Sequence, residues 1–236
     1  MVNKDLADGE QEHPLSIVMM GASGAVGTEV VRTLGGYASL EQLTLLNRRS
    51  LDALLDTRIR QLTIDVLDPK SYAAALPGHK IAICTLGVGQ PSKVSKEQYL
   101  RIDKEAVLDF AAQCKMAGVG HFELLCSIGA NTDSRSFYLR AKGELQEELA
   151  ALKFDRLSLF QPSMILTEHN RYGVGQALTL AVWPKLDTVL VGPLRKLRGI
   201  PVETLGRAMA KNTRTIASGL EILQWDEIMR LAGEKT

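Results

Sequence analysis

The chain has 236 residues, 45% of them apolar and 23% charged, with a formal charge of +1. That length suffices for one α/β unit with a full core, and the near-zero charge excludes both the basic field of a nucleic-acid binder and an acidic tail. Aromatic residues make up 5% of the chain, too few for base-stacking platforms despite small basic clusters at Asn47-Arg48-Arg49 and Arg195-Lys196-Leu197-Arg198. Cys84, Cys114 and Cys126 are odd in number and lack metal-ligand spacing. They read as reduced thiols in the role of small buried hydrophobes, and no metal is expected. Residues 1–13 are polar and charged, which reads as a loose tail without a secretory signal, and no run approaches the length of a membrane span. The expectation is a cytoplasmic protein with no nucleic-acid or membrane partner.

The first element is the apolar run Leu15-Ser16-Ile17-Val18-Met19-Met20, which feeds Gly21-Ala22-Ser23-Gly24-Ala25-Val26-Gly27 and then Thr28 to Leu34 at helical period. A strand, a glycine-spaced turn and a helix open a dinucleotide-binding βαβ unit. Glycines at Gly21, Gly24 and Gly27 let the backbone bend sharply and approach a pyrophosphate. The unpaired amides of the helix's first turn, with its dipole, face that anion.

A second strand, Gln42 to Leu46, ends in Asn47-Arg48-Arg49. A site for NAD usually has a carboxylate at this point, about twenty residues past the glycines. Two guanidiniums stand here instead and suit a 2′-phosphate, so NADP(H) is expected over NAD(H); a solvated basic turn is the alternative. Arg60 to Val66 reads as a third strand, whose Asp65-Val66 end would set a carboxylate near the adenine amino group, or else a plain solvent-facing Asp. Ser71 to Leu76 reads as a short crossover helix, Pro77-Gly78-His79 as a turn and Lys80 to Leu86 as a strand buried on both faces.

Lys96 to Ala117 is predicted as a long helix, with apolar Tyr99, Ile102, Ala106, Phe110 and Cys114 at helical spacing. Then come a strand over Phe122 to Ile128, a helix over Phe137 to Leu152 and a strand over Leu157 to Ile165. Such alternation implies a parallel sheet with helices on both faces, and ligands beyond the carboxyl ends of its strands. Gly21, Arg48, Asp65, Leu86, Ser127 and Pro162 all fall at such ends. From Thr167 the pattern loosens, with Leu178 to Trp183 assigned to a helix or lid. Pro201 to Asn212 reads as a proline-led helix, and Gly219 to Leu231 as a short strand and a final helix. Residues 166–236 are expected to supply a substrate-side cap and the C-terminal elements of one domain over 14–236.

Tyr138 and Lys142 stand at i and i+4, so on a helix they share a face. They open the helix after the fifth strand, and Ser127 closes that strand. Reducing a carbonyl places negative charge on its oxygen. A phenol can donate the proton, an ammonium can stabilise the phenolate and bind the nicotinamide ribose, and a serine can orient the carbonyl. The alternative is an amphipathic helix with a half-buried Tyr and a solvated Lys.

Several segments together resemble the short-chain dehydrogenase/reductase superfamily, and more narrowly its atypical branch of Tat-interacting-protein-like, NAD(P)H-binding oxidoreductases. They are Gly-Ala-Ser-Gly-Ala-Val-Gly (21 to 27), Asn-Arg-Arg (47 to 49), Cys-Thr-Leu-Gly (84 to 87), Arg101-Ile102-Asp103, His-Phe-Glu-Leu-Leu-Cys-Ser (121 to 127), Tyr-Leu-Arg-Ala-Lys-Gly-Glu (138 to 144) and Lys-Phe-Asp-Arg-Leu-Ser-Leu-Phe-Gln-Pro (153 to 162). The resemblance implies a Rossmann-like doubly wound sheet and maps the superfamily's serine, tyrosine and lysine onto Ser127, Tyr138 and Lys142. It maps the phosphate turn onto Gly21, Ser23, Gly24, Ala25, Val26 and Gly27, and the nicotinamide wall onto Leu86 and Gly87. Pro162 matches the post-strand proline, with Ser163 where glycine is common. Arg171 falls where relatives carry arginine near the substrate, and no counterpart of the helix asparagine of the proton relay stands near Asp103.

Two functions follow. One is an NADPH-dependent reductase of a small carbonyl or imine, monomeric or homodimeric; the other is an NADPH-binding regulatory or interaction protein with little turnover and a protein partner. A sugar-nucleotide epimerase is disfavoured by the short C-terminal part.

Overall fold

Leu15–Met20 forms β1 and is buried from end to end, as an apolar run flanked by strands on both sides must be. The chain turns into α1 (Ala25–Gly35), which buries Val26, Val30, Val31 and Leu34, and continues through β2 (Leu40–Asn47) and β3 (Ile59–Thr63). β4 (Ile81–Cys84), α2 (Lys96–Leu100), α3 (Ala106–Met116), β5 (His121–Leu125), α4 (Phe137–Ala151) and β6 (Arg156–Phe160) follow. Beyond them come β7 (Met164–Leu166), β8 (Gly199–Pro201), α5 (Val202–Asn212), β9 (Gly219–Leu223) and α6 (Trp225–Ala232). This computed structural model describes residues 13–51, 56–167 and 190–234.

Seven strands pair in parallel in the order β3-β2-β1-β4-β5-β6-β9. The chain winds one way from β1 to β3 and the other way from β4 to β9, so β1 and β4 flank the switch point. One face of the sheet packs Ile17, Leu43 and Ile83 against α1, α5 and α6. The other packs Val18, Ala82 and Phe122 against α3 and α4. The expected doubly wound, Rossmann-like α/β sheet is therefore what the chain forms.

Several boundaries differ from the sequence reading. The third strand stops at Thr63, because Asp65 turns the chain by accepting the Leu67 N–H at 2.9 Å. The crossover over 71–76 is two 3₁₀ turns, Pro69–Ser71 and Ala73–Ala75. Tyr72 breaks them apart to stack edge-on against Phe110 in the core. The helix over 96–117 is interrupted by a π turn at Arg101–Glu105. The strand expected to reach Ile165 ends at Phe160, since Pro162 has no N–H for a central ladder. Met164–Leu166 pairs with Gly199–Pro201 as a small second sheet instead.

The C-terminal stretch divides. β9 extends the main sheet, and α5 and α6 help cover one of its faces. β7 and β8 stand apart from that sheet. Trp225 ties the 3₁₀ segment Gly192–Leu197 to α6, with Arg195 and Arg198 over its ring at 5.0 and 4.9 Å. The expected tail before His13 and the expected lid over Leu178–Trp183 lie outside the described residues.

A buried polar group spans the amino halves of β5, β6 and β9. Arg156 donates to Glu221 at 2.6 Å and to the Asn212 side chain at 2.7 Å. Asn212 in turn donates to Glu123 at 2.9 Å, while Glu123 Oε2 has no hydrogen-bond partner among the described residues. Burial pushes the Glu123 carboxyl up to about 8, although the Asn212 hydrogen bond and the Arg156 charge pull it down. Burial, then Arg156, drives the neighbouring His121 down to about 3. Glu123 thus contributes stability that is full below its ordinary value of 4.5 and is lost as pH rises to about 8. His121 works in the opposite sense, losing stability as pH falls below 6.5. In Glu123→Gln, thermal melts across pH 5 to 9 should show the variant gaining on the parent up to about pH 8 and then levelling. Each kcal/mol gained is worth about 2–4 °C in a chain of this size. A difference independent of pH would mean that Glu123 is not held neutral.

Candidate functional site

Gly21 leaves β1 with φ +94°, and a β-carbon there would lie 2.6 Å from the Thr85 carbonyl carbon and the Leu86 nitrogen. The Gly24 N–H closes the turn on Gly21 O at 3.1 Å. A β-carbon at Gly27 would lie 2.3 Å from that same oxygen, so α1 rises directly over the turn. α1 has no side-chain cap and no acid in its first turn. The amides of Ala25, Val26 and Gly27 are left for an outside acceptor, and the dipole favours an anion.

A cleft of about 520 Å³ opens here, walled by the first turn of α1, the segment Leu86 to Gly89, Ser127, Tyr138, Lys142 and Pro162. It brings together the expected Gly24, Ala25, Val26, Gly27, Leu86, Gly87, Ser127, Tyr138, Lys142 and Pro162 from five separate segments. Gly21 shapes the turn without lining the cleft, and Ser23 is exposed at its tip. α4 starts at Phe137 because Ser136 caps it through the Leu139 N–H, which places Tyr138 and Lys142 one turn apart beside the cleft.

The other expected residues that are described do not line the cleft. Asn47, Arg48 and Arg49 end β2, with both arginines exposed and Asn47 buried. Neither amide atom of Asn47 has a hydrogen-bond partner among the described residues, which fits a polar ligand group at this end of the sheet. The Ile64 N–H bonds to Asn47 O at 2.9 Å, so the two strand ends lie side by side. Asp65 is exposed and spends its carboxylate on the Leu67 N–H, and Val66 is buried in the core. Arg171 lies outside the described residues.

Electrostatics single out three groups. Burial raises the Tyr138 phenol above its ordinary value, against the pull of the Lys142 charge and of Ser127. Burial also works against the Lys142 charge, but the Asp103 carboxylate overrides it and holds the ammonium above its ordinary value. Asp103 lines the same cleft and was not among the expected site residues. Nothing in the sequence couples it to Lys142, 39 positions later; only its place inside Arg101-Ile102-Asp103 marked the segment. Of the cysteines, Cys126 lines the cleft and accepts from Gln146 at 2.8 Å, whereas burial pushes the Cys84 thiol up to about 12.

Comparison with known proteins agrees with this geometry. An NAD(P)H-binding family matches residues 21–164. Protein HTATIP2 of Rattus norvegicus is 32% identical over 220 residues, covering 92% of this chain and 88% of that one. Protein FMP52-1, mitochondrial, of Scheffersomyces stipitis is 26% identical over 196 residues, 81% of each chain. Among solved structures, MoeE5 in complex with UDP-glucuronic acid and NAD superposes with a TM-score of 0.69 at 15% identity, covering 92% of this chain and 81% of that one. ADP-L-glycero-D-manno-heptose-6-epimerase of Helicobacter pylori gives 0.66 at 12% identity, covering 95% and 85%. At such identities the structures speak for the fold alone.

The turn yields a direct test. Gly27→Ala must push Gly21 O away from α1, so NADPH affinity by nicotinamide fluorescence should fall at least about tenfold, roughly 1.4 kcal/mol. Unchanged affinity in a folded variant would show that the dinucleotide does not use this turn.

Proposed function

The chain belongs to the NAD(P)H-binding family, with the atypical short-chain dehydrogenase/reductases, and from that premise we propose that it reduces a small carbonyl or imine compound with NADPH. A bound NADPH supplies the hydride. Tyr138 holds the proton that the substrate oxygen or nitrogen takes up, Ser127 hydrogen-bonds the carbonyl and shares its developing charge, and Lys142 favours the phenolate left behind. The observation that carries the reading is that Ser127, Tyr138 and Lys142 line one cleft with the open first turn of α1. The raised phenol suits a donor that must arrive protonated.

The 2′-phosphate is assigned to Arg48 and Arg49, exposed just past the end of β2 beside the Asn47 amide, which has no partner among the described residues. Gly24 to Gly27 hold the pyrophosphate, and Leu86, Gly87 and Pro162 border the nicotinamide. Residence in the cytoplasm is part of the proposal on the ground of three free, buried cysteines. The mitochondrial name of the fungal relative makes cell fractionation the check. No helix among the described residues is long and apolar enough to cross a membrane. A second reading, an NADPH-binding regulatory protein with little turnover, draws support from Asp103, which already engages Lys142 at 3.1 Å.

The first measurement is a titration with NADPH and with NADH, followed by a screen of small carbonyls and imines. Tyr138→Phe should lower turnover at least about a hundredfold while NADPH affinity changes less than about threefold; retained turnover removes the phenol as donor. Arg48→Ala combined with Arg49→Ala should weaken NADPH by about tenfold or more and leave NADH nearly unchanged. Equal losses for the two cofactors would show that these arginines do not read the phosphate.

A further inference from the structure

Lys142 does not serve Tyr138 alone. Its Nζ lies 3.1 Å from Asp103 Oδ1 and donates to the Asp103 carbonyl at 3.3 Å, with both side chains about 5% exposed. The second carboxylate oxygen of Asp103 accepts the Val88 N–H at 2.8 Å. Asp103 stands on the π turn between α2 and α3. The extra residue in such a turn shifts the helical register, and here Tyr99, Asp103 and Val107 are all buried.

A lone ammonium beside a phenol favours the phenolate. An ammonium whose counter-charge sits about 3 Å away acts on a third group as a dipole, and its influence falls off faster with distance. Among the described residues, the other groups that face this pair are Tyr99 from α2, Cys84 from β4, Cys126 and Ser127 after β5, and Tyr138 from α4. None of these is a carboxylate or a cation. Among the described residues Asp103 is thus the group placed to balance Lys142, and the ring of Tyr99, 5.5 Å from that of Tyr138, adds apolar bulk against the phenol.

We propose that Asp103 is a positioning residue that offsets the Lys142 charge at the site and so favours the protonated, donor form of Tyr138. The inference rests on the reading of Tyr138 as the proton donor. Asp103→Asn is the informative change, because asparagine keeps the volume and an acceptor for the Val88 N–H while removing the counter-charge.

The test follows Tyr138 in the full chain without cofactor, by Cζ-labelled tyrosine NMR from pH 7 to 11, with the resonance assigned by its loss in Tyr138→Phe. Asp103→Asn should raise the ionisation constant of Tyr138 at least about tenfold, one pH unit. An unchanged or higher midpoint overturns the proposal. Should Asp103→Asn fail to fold, Asp103→Asn combined with Lys142→Met removes the pair as a unit. A midpoint within about threefold of the parent then supports cancellation, and a larger shift in either direction overturns it. NADPH titration of the unmodified chain is independent of these results. Its failure would remove the reductase reading and leave the tyrosine measurement intact.

Discussion

The functional end of the molecule depends on how tightly the carboxyl ends of β1 and β4 are drawn together. The Thr85 N–H reaches Met20 O at 2.9 Å, and the Thr85 hydroxyl reaches Gly21 O at 2.9 Å. Pairing therefore continues one step past the end of each strand. The contact tolerates no side chain at Gly21, whose β-carbon would lie inside the Thr85 backbone. Because the winding reverses between these two strands, their close ends leave a crevice above them. The first turn of α1 overhangs it from one side and Leu86 to Gly89 from the other. Ser127, after β5, and Tyr138 and Lys142, on α4, line the same crevice, so the chemistry proposed for them depends on where this contact fixes the floor.

The sheet carries buried charge at both ends and handles it in two ways. At the carboxyl end Lys142 and Asp103 meet at 3.1 Å, and both backbone and side-chain acceptors hold the ammonium. At the amino end Arg156 takes the half-buried Glu221, and burial pushes the carboxyl of the fully buried Glu123 up to about 8, toward its neutral form. Pairing suits the carboxyl end, where the proposed function needs a cation that stays charged near the reacting groups. Neutralisation suits the structural end, where an uncompensated charge would only weaken the fold.

The sequence displayed what depends on neighbours along the chain. The glycine turn, the buried run of β1, and the i, i+4 placement of Tyr138 and Lys142 all follow local periods, and each stands where its pattern put it. What it hid depends on partners far away in sequence. The break between β6 and β7 is written in Pro162, yet that Met164–Leu166 would pair with Gly199–Pro201 is a tertiary fact. The π turn at Arg101–Glu105 shifts the buried face onto Asp103 in place of Ile102, a shift that the apolar spacing of the sequence does not register. Asp65 lies two residues past the end of β3, solvent-facing as the alternative reading had it, with one carboxylate oxygen taken by the Leu67 N–H of a local turn.

Asp103 shows why the hidden part carries weight. One carboxylate oxygen holds Lys142 and the other holds the backbone of Val88, so the cation and a wall of the cleft share one anchor. Val88 follows Leu86 and Gly87, the segment that borders the nicotinamide in the proposed function. A displacement of that wall must therefore strain or break a contact to the group that balances Lys142. In the proposed function, position at the cofactor side and charge at the proton donor are thereby linked through one buried side chain. Neither a glycine motif nor a Tyr-Lys pair, read alone, contains that link.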